Sequence, residues 1–307
     1  MLIDTHAHVN FAAFKEDAES TIQRALDAGV SMVLVGTQID TSREAVAMAE
    51  KFGSGVYAAI GIHPVHTYSQ HLDEEETSFK TREEKFNADE YRKLASSPKV
   101  VGIGECGLDY FRLPEGEDPE PIKQGQKQVF IEQIKLAKEL NKTLVIHSRS
   151  SKGTDDACLD ILEILKTPSL WCHSEGVQPT EESLKPGKGI LRSALDDTAL
   201  PRFVLHSYTG SPEVAKMFVD IGSYVSFNGI ITFDKTGNQE AVLKVVPDNK
   251  IVLETDCPYL TPVPMRGKRN EPGYVRFVAE HVARLKGLAV EKVEQATTEN
   301  AQRLFLL

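Results

Sequence analysis

Six residues able to bind metal fall one by one at the C-terminal ends of apolar, β-branched runs. His6 and His8 follow Met-Leu-Ile-Asp, Glu105 follows Val-Val-Gly-Ile-Gly, and His147 follows Thr-Leu-Val-Ile; His206 follows Arg-Phe-Val-Leu, and Asp256 follows Lys-Ile-Val-Leu-Glu-Thr. Ligands so dispersed along a chain become neighbours when every strand end converges on one face, as in a (β/α)8 barrel. The pattern therefore predicts an α/β fold of the TIM-barrel, metal-dependent-hydrolase type with metal at its mouth. Four imidazoles and two carboxylates exceed what one catalytic zinc takes from a protein, typically three ligands and a water. Two divalent ions, Zn, Mn or Mg, fit better; imidazoles suit Zn, Mn, Co or Ni, whereas Mg prefers oxygens and retained waters.

Short apolar strands alternate with amphipathic helical stretches, the mark of repeated β-α units. Strands are expected at Leu2 to Thr5, Ser31 to Gly36, Val56 to Gly61, Val100 to Glu105, Thr143 to His147, Arg202 to His206, Ser223 to Phe227 and Lys250 to Glu254. Helices are expected after each, at Asp17 to Ala28, Ser42 to Phe52, Asp89 to Ser96, Ile122 to Glu139, Asp155 to Leu165, Pro212 to Ile221, Gln239 to Val246 and Tyr274 to Lys286, with a last one at Val290 to Leu304. The expected organisation is one domain over residues 1–307, with rim insertions near 66–86 and 166–201 where the periodicity lapses.

With 35 basic and 45 acidic residues, the net charge of -10 argues against a broad surface that coats nucleic acid. Any recognition of phosphate must be focal. The four cysteines have no paired spacing, no apolar run approaches the roughly 18 residues that span a bilayer, and the chain starts directly on a strand. A cytoplasmic location, or a nuclear one in a eukaryote, is expected, with no membrane and no obligate protein partner.

Residues two apart on a strand point the same way, so His6 and His8 can chelate one ion. Glu105, flanked by glycines, is the natural carboxylate to bridge two ions. Asp256 can ligate one ion and accept a proton from an attacking water, with Glu254 as the competing assignment. His63, in Gly61-Ile62-His63-Pro64, could ligate or contact substrate; substrate contact is favoured, because an uncoordinated imidazole can donate a hydrogen bond as charge develops on a phosphoryl oxygen. Arg149 and the group Arg266-Gly267-Lys268-Arg269 are candidate phosphate grips, although basic clusters are commonly just solvated.

Five motifs then stand in order: Asp4-Thr5-His6-Ala7-His8, Gly61-Ile62-His63-Pro64, Gly104-Glu105-Cys106-Gly107-Leu108-Asp109-Tyr110, Glu254-Thr255-Asp256-Cys257-Pro258-Tyr259-Leu260 and Arg266-Gly267-Lys268-Arg269-Asn270-Glu271-Pro272. Together they resemble the TatD-family metal-dependent deoxyribonucleases nearly end to end. The resemblance implies an amidohydrolase-type barrel, a divalent-metal site, and hydrolysis of DNA phosphodiesters, with exonuclease action expected from 3′ ends of single or frayed strands. It implies ligand roles for His6, His8, Glu105, His147, His206 and Asp256, and phosphate or catalytic roles for His63, Arg149 and Arg266. The chain departs from the family pattern at Ser207-Tyr208-Thr209-Gly210 and in the long segment from Lys166 to Pro201, which leaves the ligands intact and bears on substrate preference. Two rivals remain: a dinuclear hydrolase of a small amide, lactone or phosphoester, and a non-enzymatic interaction protein on a retained barrel. Many barrels of the first kind bridge their metals with a modified lysine on strand four, where this chain has Glu105.

Overall fold

A computed structural model describes residues 1–68, 83–114, 116, 118–171 and 199–307. Eight parallel strands follow one another in chain order around one sheet: β1 (Leu2–Ala7), β2 (Val30–Val35), β3 (Val56–Ile60), β4 (Val100–Asp109), β5 (Thr143–Arg149), β6 (Phe203–His206), β7 (Tyr224–Phe227) and β8 (Ile251–Leu253). Between and after them run α1 (Ala18–Asp27), α2 (Ile39–Glu50), α3 (Ala88–Leu94), α4 (Pro119–Glu139), α5 (Asp156–Leu165), α6 (Pro212–Asp220), α7 (Asn238–Val245), α8 (Val275–Lys286) and α9 (Val290–Phe305). β1 returns to β8: Thr5 Oγ1 donates to the Leu253 carbonyl at 3.0 Å, and Ala7 bridges Cys257. The sheet is thus a nearly closed barrel with helices outside it, as the alternating pattern predicts.

The caps explain where helices begin. Ser211 accepts from the Val214 N–H with Pro212 at the first helical position, and Asn87 accepts from Asp89 and Glu90. α2 begins at Ile39, three residues before the expected start, because the Thr41 hydroxyl accepts the N–H groups of Thr37 (2.9 Å) and Gln38 (3.0 Å) and folds the approach into the first turn. At the other end of the chain α8 stops at Gly287, whose φ of 65° a side chain would strain.

The barrel interior is filled by Ile3, Val33, Val35, Ala59, Val101, Val145, Val204 and Val252, and Ala301, Leu304 and Phe305 of α9 pack beneath them. Thr143 Oγ1 and Arg202 Nε both donate to the Leu304 carbonyl, which ties α9 across the N-terminal end of the strands. That end is a packed floor, leaving the C-terminal ends as the place for chemistry. Cys106, Cys158 and Cys257 are buried thiols; Cys172 and most of the two expected rim segments, 66–86 and 166–201, lie outside the described residues. Among the described residues no helix is long and apolar enough to cross a membrane.

Candidate metal centre

Alternation along the strands delivers the ligand-capable side chains. His147 stands two residues beyond the interior Val145, and His206 two beyond Val204, so both rings rise from the packed layer into the mouth. Their strands are in register there, His147 beside His206. In β1 and β4 the pairing shifts, between Asp4 and Ala7 and between Ile103 and Cys106, and such bulges re-aim side chains. β4 also runs close to β5. A Cβ on Gly107 (φ 130°) would meet the His147 carbonyl oxygen at 2.1 Å, so only glycine fits.

Glu105, 4% exposed, is the hub of the resulting cluster. Its Oε1 lies 2.8 Å from His147 Nδ1, 3.3 Å from His63 Nε2 and 3.4 Å from His206 Nε2, and its Oε2 lies 3.3 Å from His6 Nε2 and 3.7 Å from His8 Nε2. Asp256 Oδ1 lies 3.5 Å from His8 Nε2 and 3.9 Å from His6 Nε2. Among the described residues, three groups offer donor atoms within 4.8 Å of one another: His6, Glu105 and His206; His6, His8 and Asp256; and His63, Asp109 and His147.

The hydrogen bonds behind the rings decide which nitrogens are free to bind a cation. His8 Nδ1 faces the Val35 carbonyl at 2.9 Å. A carbonyl only accepts, so the proton sits on Nδ1 and the Nε2 lone pair faces the cluster. His206 Nδ1 lies 3.0 Å from Glu254 Oε1, close though not well aligned, which likewise favours a proton there and a bare Nε2 toward Glu105. His63 is the reverse case. Its Nδ1 accepts the Val65 N–H at 3.2 Å, so in the neutral ring the proton is on Nε2, pointing at Glu105. That ring is a donor and a poor ligand. His6 Nε2 and His8 Nε2 meet at 3.0 Å, and His6 Nδ1 is buried with no hydrogen-bond partner among the described residues. Since the His8 nitrogen is bare, the close approach needs a proton or a cation between the rings. The donor set therefore fits divalent metal.

Electrostatics agree. Burial alone would raise Glu105, but His63, His206, His6 and His147 hold it well below the ordinary carboxylate range. Asp256, likewise buried, is held low by His206, His8 and His6. Burial, with His147 nearby, takes His63 down to about 4, so its ring is neutral at physiological pH. Burial opposes charge on His206 as well, yet Glu254, Glu105 and Asp256 outweigh it and push the ring up to about 10, so its Nε2 is bare only when a cation takes the place of that proton. Burial pushes Asp4 up to about 8 despite the hydrogen bonds it accepts from Thr255 and the His6 N–H, contacts that pin β1 to the segment after β8.

A cavity of about 350 Å³ opens over the cluster. It is lined by His8, His63, Glu105, His147, His206 and Asp256, together with Arg112 and Arg149. Three lining residues without glycine's freedom have positive φ, namely Ser207 (45°), Asp256 (57°) and Leu260 (54°). Backbone held in that region costs about 1–3 kcal/mol per residue and gathers at functional sites.

The expected basic grips separate. Arg149 lines the cavity, whereas Arg266, Lys268 and Arg269 do not. Arg269 is committed elsewhere: its guanidinium pairs with Asp17 at 2.6 Å, donates to the Ala13 carbonyl and covers the Phe14 ring. The expectation of a phosphate grip at Arg269 is corrected to a tie between the loop after β8 and the start of α1. Arg266 packs over Phe233 and donates to the Thr261 carbonyl at 2.8 Å, which places it outside the cavity wall on the same loop. Two groups went unforeseen, Asp109 and Arg112, and Glu254 was foreseen only as a rival ligand to Asp256. Asp109, held down to about 2 because its hydrogen bond to His147 and the nearby charges of His147 and Arg112 outweigh its burial, faces His147 Nε2 at 3.1 Å; it shares a strand face with Glu105 at even spacing, a signal available in the sequence. Glu254 backs His206, and Arg112 joins Arg149.

His63 gives a first test. With its donor proton fixed by Val65, His63→Ala lowers turnover and leaves metal content, measured by elemental analysis, unchanged; loss of an ion would make His63 a ligand.

The sequence model of the TatD related DNase family matches residues 3–306. The chain is 39% identical to the uncharacterized metal-dependent hydrolase YabD of Bacillus subtilis over 99% of both chains. It is 31% identical to the 3′-5′ ssDNA/RNA exonuclease TatD of Cronobacter turicensis, over 99% of this chain and 98% of that one. Among solved structures, the crystal structure of YJJV, a TatD homolog from Escherichia coli K12, superposes with a TM-score of 0.73 at 26% identity, covering 100% of this chain and 98% of the other. A nearly closed barrel with a histidine and carboxylate cluster at its mouth, matched over almost its whole length, places the chain in the TatD-related family of metal-dependent hydrolases.

Proposed function

We propose that this protein is a deoxyribonuclease that uses two divalent ions, Zn, Mn or Mg, to remove nucleotides from the 3′ ends of single or frayed DNA strands. The observation that carries the reading is the cavity itself: a carboxylate hub ringed by imidazoles, with the guanidiniums of Arg112 and Arg149, neither in an ion pair among the described residues, on the same wall. The name of the Cronobacter relative, 3′-5′ ssDNA/RNA exonuclease, supports the direction of attack.

His6, His8 and Asp256 would hold one ion, His147 and His206 the other, and Glu105 would be shared. When bound, the ions neutralise the scissile phosphate and make water a competent nucleophile near neutral pH. The remaining work falls to side chains. Asp256 is ionised and 14% exposed, so it reaches the cavity and can take up the proton of the attacking water. His63, neutral and protonated on Nε2, donates to a phosphoryl oxygen as charge develops. Arg149 and Arg112 grip phosphate, with Arg266 and Lys268 as outer contacts; an arginine fork matches two phosphate oxygens at once. Glu254 and Asp109 orient His206 and His147 from behind.

So few cations on a chain of net charge -10 set a shallow salt dependence. The log of the binding constant should fall against log salt with a slope of about two to four, each neutralised phosphate of a single strand contributing about 0.7. Arg266→Ala lowers that slope by a little under one unit in salt titrations on a 3′-labelled oligonucleotide, and a slope of eight or more would mean a much larger surface. A closed circular single strand tests the mode of attack: it stays intact while its linear form is degraded, and equal cutting of both would make the protein an endonuclease.

A further inference from the structure

The turn that follows β4 carries an apolar side chain that the core does not take in. Phe111 is 50% exposed although it adjoins a polar cavity. Its backbone is fixed, since Asp109 Oδ1 accepts the N–H groups of Phe111 at 3.1 Å and Arg112 at 3.0 Å. The Tyr68 hydroxyl donates to the Arg112 carbonyl at 2.8 Å. The other oxygen of Asp109 faces His147 Nε2. One carboxylate therefore sets an imidazole of the centre and an exposed aromatic ring in the same frame. Arg149 covers part of the ring, its Cζ 4.2 Å from the centroid. Arg112 and Arg149 both line the cavity, and among the described residues neither pairs with a carboxylate.

A partly open aromatic ring beside two guanidiniums that make no direct ion pair among the described residues is complementary to a single strand of nucleic acid, whose phosphates suit the cations and whose bases offer π-faces. In a duplex those faces are stacked against neighbouring bases and are not on offer. Resting on the nuclease reading above, we infer that Phe111 is the platform of a base-stacking subsite, steadied by Arg149, that positions an unpaired base next to the scissile phosphate. Phe111 is then a positioning residue through which the enzyme selects unpaired ends, and its effect tolerates any base because every base has a stackable face.

The test uses the full chain loaded with Mn and two strands: a linear oligothymidylate, and the same strand with tetrahydrofuran abasic residues in place of its two 3′-terminal nucleotides. Wild-type protein should show a KM for the abasic strand about five- to a hundredfold higher, the span of base–aromatic stacking. Phe111→Ala should raise KM for the intact strand to the abasic value, and Phe111→Trp should restore the discrimination. A structural role for the ring would instead lower kcat on both strands alike, and tryptophan would not bring discrimination back. An unchanged KM in Phe111→Ala, or the same abasic penalty in variant and wild type, overturns the subsite and leaves the nuclease reading standing. Failure of the wild-type protein to cleave either strand overturns that reading and the subsite with it.

Discussion

Replacing Glu105 by alanine lowers turnover on DNA at least about a hundredfold, the scale of losing a dominant electrostatic contribution. The carboxylate is buried and touches His6, His63, His147 and His206 at 2.8 to 3.4 Å, so its removal takes the one negative charge common to both proposed ions. Metal content should fall with activity, which elemental analysis of the purified variant would read. Glu105→Gln separates charge from shape: it keeps the volume and one acceptor oxygen but loses the charge, and it should be nearly as impaired. Full metal content with undiminished turnover in either variant would remove Glu105 from the centre.

Chelation abolishes hydrolysis and leaves the protein folded. The physical reason is the separation of core from mouth. The interior valines and the α9 residues Ala301, Leu304 and Phe305 fill the barrel beneath the cluster without any contribution from it, and a chain of 307 residues buries enough surface for independent stability. Stripped protein should keep its far-UV circular dichroism and a cooperative melt, at a lower temperature because an ion that binds the native state stabilises it. Mn, Mg or Zn should restore activity. Cooperative unfolding on chelation would make the metal structural, and unchanged hydrolysis would deny it a catalytic role.

The barrel was legible because parallel strands covered on both faces read as unbroken apolar runs, and because five of the eight runs lead into a histidine or carboxylate costly to bury without a partner. The mouth residues His147 and His206 follow from strand periodicity alone. Asp109 was missed because the glycines of β4, Gly102, Gly104 and Gly107, break the apolar run and made the strand seem to end at Glu105; it continues to Asp109. Arg269 was misassigned for the opposite reason. A basic cluster in sequence carries no sign of the distant acid that satisfies one of its members, and Asp17 lies far along the chain. Phe111 and Arg112 escaped notice since an aromatic after a strand ordinarily joins the core, and exposure is a property of the folded turn. The tautomers of His8 and His63, which separate a ligand from a donor, depend on the Val35 carbonyl and the Val65 N–H and have no signature in the sequence.

The proposal that this cavity is a metal-dependent nuclease site meets its most direct test in one assay, a 3′-end-labelled single-stranded oligonucleotide incubated with the protein and Mn, with and without chelator. Release of the labelled terminal nucleotide that depends on metal and is lost in Glu105→Ala is the predicted result. An oligonucleotide left intact under every metal condition, or one degraded equally in chelator and by Glu105→Ala, would contradict it.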